Sequence, residues 1–188
     1  MRRAFLISLL LLLLLPLGVR AQRTSSGEQL LALTAGSTLS HWGGELLYGQ
    51  YLLRGCWIAG AAFHDRTERD APSGETVHYP RLETRGGYLY RLAADYSRRL
   101  NLYVGGDAFV GVEMLDLFRT LSETTLRSLH GGGLNDYQFI YGAAPRIELE
   151  LFVLPSHALT SGARVPLTFG SPLPLIGWEL TAGVRINF

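Results

Sequence analysis

Two short pairs in the sequence place a hydroxyl beside an imidazole: Ser128 with His130, two residues apart, and Ser156 adjacent to His157. A serine attacks only when a base within hydrogen-bond reach takes its proton and a third group orients that base. Completed by a carboxylate, such a set would suit an enzyme that modifies lipids. Ser128-Leu129-His130 runs straight into Gly131-Gly132-Gly133, the composition of a loop, and Ser156-His157 falls in a predicted turn, so neither pair is assigned a catalytic role. His41, His64, His78, His130 and His157 are scattered without the spacing that specifies a metal site. The glycine run lacks the Lys-Ser/Thr of a phosphate loop. Cys56 beside Trp57 reads as a small residue opening a strand, and a single cysteine forms no internal disulfide. No catalytic, cofactor-binding or metal-binding residue is assigned.

The elements that hold these residues follow from hydropathy. Arg2 and Arg3 precede an almost wholly apolar run from Ala4 to Leu17, and Val19-Arg20-Ala21 offers small residues for cleavage, so residues 1–21 read as an export signal. The run is shorter than the roughly 20 apolar residues a spanning helix needs. Cleavage leaves one domain over residues 22–188, without the cysteine next to the cleavage site that a lipid-anchored lipoprotein would use. No second run in that domain is long enough for a membrane helix, so a membrane role requires strands. The formal charge of +1 becomes −2 once Arg2, Arg3 and Arg20 are removed, which gives no electrostatic case for nucleic acid as a partner. All 17 basic residues are arginine, and the 22 glycines suit a tightly curved sheet.

A period of two is clearest at the end of the chain. Trp178, Leu180, Ala182, Val184, Ile186 and Phe188 form an apolar face opposite Glu179, Thr181, Gly183, Arg185 and Asn187. The same alternation runs from Leu100 to Glu113 and from Tyr137 to Leu151, over lengths greater than the five or six residues usual in a soluble sheet. It predicts eight strands, near residues 29–37, 45–53, 56–66, 79–93, 99–113, 135–153, 158–169 and 176–188. Connections at 54–55, 94–98 and 154–156 are short, whereas those at 38–44, 67–78, 114–134 and 170–175 are longer. That order matches barrels with short periplasmic turns and longer external loops.

A soluble lipocalin-like barrel also alternates, with its apolar face inward. Charge separates the two cases. Arg81, Arg85, Arg91, Arg146, Arg164 and Arg185 share the polar faces with Glu83, Asp107, Glu113, Glu148, Glu150 and Glu179, six of each sign, as a closed and mutually paired interior would require. Over the central part of each strong strand the opposite faces carry no charge, as they must where an exposed arginine at mid-membrane costs about 2–4 kcal/mol. Tyr79, Tyr88, Tyr90, Tyr137, Phe139, Phe169, Trp178 and Phe188 are expected in the interfacial aromatic girdles. The fold predicted is all-β: an eight-stranded antiparallel up-and-down outer-membrane β-barrel with a filled polar interior. At eight strands the lumen is about wide enough for side chains alone, which argues against a conducting pore and against an ion or proton path.

From Gly86 onward the chain resembles the TraO family of conjugative-transposon transfer proteins of Bacteroidetes. The residues that carry the likeness are Gly86-Gly87-Tyr88-Leu89-Tyr90, Leu102 to Gly106 with Ala108 and Gly111, Phe139 to Ala143, Ile147 to Glu150 and Gly183 to Phe188. Phe188 itself resembles the C-terminal insertion signal of outer-membrane barrels. The resemblance implies a non-catalytic component of a conjugation (type IV secretion) apparatus for mating-pair formation. Its expected surroundings are outer-membrane lipid and other machinery proteins, met through the external loops at 67–78 and 114–134 or the periplasmic turns. It implies no cofactor. A general barrel that braces the envelope, and a lipid-modifying barrel enzyme, are the alternatives.

Overall fold

A computed structural model describes residues 26–37, 41–69, 76–95, 99–114, 137–171 and 175–188. The strands are β1 (Gln29–Ser37), β2 (His41–Leu52), β3 (Gly55–Arg69), β4 (Thr76–Ala94), β5 (Leu100–Met114), β6 (Tyr137–Leu154), β7 (His157–Arg164), β8 (Leu167–Phe169) and β9 (Glu179–Asn187). Each pairs antiparallel with its neighbours, and β1 pairs with β9 through partners such as Leu33 and Val184, closing the sheet into a barrel. Among the described residues no helix is long and apolar enough to cross a membrane, a statement that does not bear on strands.

The nine segments fill eight places in the wall. β7 and β8 lie end to end along β6, β7 against Arg146–Leu154 and β8 against Tyr141–Ala143. The strand expected over 158–169 is therefore interrupted, and the reason is Pro166, which has no N–H to give the ladder. Val165 N–H still reaches Pro145 C=O at 3.0 Å, and Gly177 N–H reaches Pro166 C=O at 3.0 Å, so the interruption is bridged on both sides.

Strands also run further than the alternation indicated. β2 begins at His41, and Gly43 and Gly44 pair with Gly36 and Ala35 of β1, so most of the loop expected at 38–44 is sheet. Glycines carry no hydropathy signal, but at Gly43 one is required. A Cβ there would lie 2.5 Å from both His64 Nδ1 and the Phe63 carbonyl oxygen. β3 and β4 likewise absorb 67–69 and 76–78. The segments 70–75 and 115–136, which hold most of the two long loops, lie outside the described residues, as do residues 1–21, expected from the sequence to be an export signal.

The apolar side chains face outward. Leu31, Leu33, Leu46, Val104, Val110, Ile147, Leu149 and Leu180 are exposed, with Trp42, Phe63, Phe139, Tyr141, Phe169 and Trp178 toward the loop end and Tyr48, Tyr88, Tyr90 and Phe188 toward the turn end. Tyr79 is a correction: it is 1% exposed and points inward with Arg81, because residues two apart on a strand share a face. The interior also holds an apolar wedge of Leu30, Ala32, Leu47, Tyr51, Cys56, Ile58, Leu89 and Tyr103. Burying each of the large aliphatic side chains there contributes about 1.5–3 kcal/mol.

Candidate functional site: the charged interior

Alternation sends every second residue of a strand inward, so a barrel wall gathers side chains from strands remote in sequence. Arg81, Arg85, Arg146, Arg164 and Arg185 are all buried, together with Glu45, Glu83, Asp107, Glu113, Glu148, Glu150 and Glu179. Five cations therefore meet seven carboxylates among the described residues, not six of each. Two misplacements explain the difference. Arg91 is half-buried at the turn end, its guanidinium donating to the Leu53 carbonyl at 3.1 Å, and Glu45 of β2 was not foreseen.

Apart from Glu113, which accepts from Ser171 Oγ at 2.5 Å, these groups form one connected column. Near the loop end Arg81 donates to Thr168 Oγ1 at 3.2 Å and to Glu83 at 2.8 Å. Glu83 also pairs with Arg85, and Arg85 pairs with Glu45. Glu45 then accepts from Arg146 at 2.8 Å, Arg146 reaches Glu148 at 2.8 Å, and Arg185 joins Glu148 at 2.5 Å to Glu150 at 2.7 Å. Glu150 ends the column toward the turns, accepting from Tyr103 at 3.0 Å, from Asn101 at 3.2 Å and from Tyr51. A side branch runs from Arg164 to Asp107 at 2.7 Å and to Glu179 at 3.0 Å. Phe109 lies between two of the cations, its ring centroid 4.7 Å from Arg81 and 5.2 Å from Arg164.

His64 completes the branch. Its Nδ1 is 2.9 Å from Glu179 and its Nε2 is 3.0 Å from Arg85 Nη2. A small cavity beside it, lined by Arg66, Arg81, Arg164, Pro166 and Gly177, adjoins the interruption between β7 and β8. Among the described residues no group of three or more His, Cys, Asp or Glu is placed to hold a metal ion.

The column's chemistry is structural. Removing one partner of a buried ion pair leaves an uncompensated charge and typically costs about 3–5 kcal/mol. Linked ions therefore resist any movement that opens the lumen. Along its length guanidinium, carboxylate and aromatic groups occupy the space a solute would need.

Ser156 and His157 do meet, with Oγ 2.9 Å from Nδ1, and both are buried, Ser156 in the turn after β6 and His157 at the start of β7. Among the described residues His157 Nε2 has no hydrogen-bond partner, and none of them orients the ring as a third group. Ser128, His130 and Gly131–Gly133 lie outside the described residues. His78 contacts Asp65 at 3.2 Å, away from the column.

A closed eight-stranded barrel, apolar outside and ionic within, has the fold of the small outer-membrane barrels. It is similar to Neisserial surface protein A, with a TM-score of 0.56 and 14% identity over 86% of this chain and 95% of that one. It is also similar to the attachment invasion locus protein Ail of Yersinia pestis (TM-score 0.48, 14% identity, 87% of this chain and 100% of that chain). Outer membrane protein H of Pseudomonas aeruginosa is comparable (TM-score 0.48, 15% identity, 86% and 99%). No curated protein matches the sequence. The model of the family described as conjugative transposon protein TraO matches residues 30–188, and the chain belongs to that family.

Proposed function

We propose that the protein is an outer-membrane component of a conjugative-transposon transfer apparatus, acting by structure and contact and not by catalysis. The family match over residues 30–188 carries the link to conjugation. The filled interior supports a role as a fixed body in the envelope, since a column of buried ion pairs spans the space a substrate or solute would occupy. Contact with other machinery proteins would fall to the loops and turns, the parts of a barrel free to vary without disturbing the wall.

The test is deletion of the gene from a transfer-competent element, with transfer frequency measured against a complemented strain. Loss of transfer supports the proposal, and unchanged transfer overturns it in favour of a general envelope barrel. Fractionation of the same strain, with the protein in the outer-membrane fraction after export, checks the location separately.

A further inference from the structure

The end of the barrel that carries the short turns has a chemistry unlike the lumen. The turn Leu53-Arg54 lies against β4, where Arg91 N–H donates to the Arg54 carbonyl at 2.8 Å. On the β5 side, Arg99 is anchored through its carbonyl, which accepts from Phe152 N–H at 2.8 Å. Arg54 and Arg99 are exposed, and neither has an acidic partner among the described residues. Asp95, the acid nearest this rim in sequence, accepts from Leu100 N–H at 2.8 Å. Beside the arginines the wall presents Leu53 at 76%, Leu92 at 59% and Tyr90 at 43% exposure, too apolar for a surface held in water.

Cations next to exposed aliphatic and aromatic side chains form an amphipathic rim of the kind found at a membrane boundary. A guanidinium donates two parallel N–H bonds to a phosphate, and where a headgroup carries an ammonium beside that phosphate the attraction is offset, so a headgroup with net negative charge is held more strongly. We propose that this rim binds the phosphate groups of anionic phospholipids, with Arg54 and Arg99 on the headgroups and Leu53, Leu92 and Tyr90 at the acyl boundary. The proposal rests on the reading of the chain as a membrane barrel.

The experiment refolds the full mature chain into vesicles of phosphatidylcholine alone or mixed with phosphatidylglycerol. Insertion is followed by gel mobility, and lipid retained after detergent extraction by native mass spectrometry. Wild type is expected to retain phosphatidylglycerol beyond its share of the vesicle. At low ionic strength that excess falls by about fivefold for each exposed arginine removed in Arg54→Gln and Arg99→Gln. Equal retention of the two lipids by an inserted barrel overturns this proposal and leaves the membrane reading standing. Loss of the preference in millimolar inorganic phosphate, with free phosphate bound instead, also overturns it in favour of a small-anion site. Failure to insert into either vesicle overturns both.

Discussion

Arg146 on β6 and Glu45 on β2 meet at 2.8 Å across the lumen, although their strands are not neighbours in the sheet. The contact links opposite walls through the interior, something no backbone ladder does, and Glu45 also takes Arg85 from β4. Glu45→Gln removes the charge but keeps the shape, and leaves two guanidinium groups short of a counter-ion. We expect a loss of about 3–5 kcal/mol in unfolding from detergent or vesicles, read from the denaturant midpoint. The double variant Glu45→Gln with Arg146→Met should recover part of that loss. A single variant as stable as wild type would show that the link contributes nothing.

Ala108 faces outward near the middle of β5, opposite Gly86 of β4 and Ala143 of β6. If that surface meets hydrocarbon, Ala108→Arg costs about 2–4 kcal/mol in vesicles. On a surface that meets water the same change would be close to neutral. Unfolding of both proteins from the same vesicles decides between these outcomes.

Much of this arrangement was legible in the sequence, and the failures have physical causes. β9 was clear because apolar and polar residues alternate from Trp178 to Phe188 without a break. Glu45 was missed because its own face, with Gly43, Leu47, Gly49 and Tyr51, carries no other charge and the opposite face is equally apolar over Trp42, Leu46 and Tyr48. Tyr79 could have been found by counting by two from Arg81. The wall-to-wall partners were beyond reach, because alternation says which side a residue faces and not which remote strand it meets.

Ser156→Ala and His157→Ala should leave transfer frequency unchanged. The hydrogen bond between them is worth about 0.5–1.5 kcal/mol, so each variant should lose no more than that from this contact in the denaturant midpoint. Abolished transfer with an intact barrel would point to chemistry at this turn.

Gly43→Ala places a methyl where the His64 ring and the Phe63 carbonyl already sit, with a gap of 2.5 Å to each. The strand pair must shift, and we expect about 1–3 kcal/mol of destabilisation, a typical cost of overpacking. Pairing the change with His64→Ala frees the ring's share of the space. The double variant should therefore lose less than the sum of the two single losses, and strict additivity would dismiss the steric account.

The seam between β1 and β9 joins segments that lie far apart along the chain, with Gln29 and Phe188 exchanging backbone hydrogen bonds at 3.0 and 3.1 Å. The cylinder cannot be completed until the most distant strand arrives, whatever hairpins have formed before it. Such a topology has a high contact order and folds slowly. Until the seam forms, the free edges of β1 and β9 present unpaired ladders that invite pairing with other chains, so this protein must be kept from its own copies until its barrel closes.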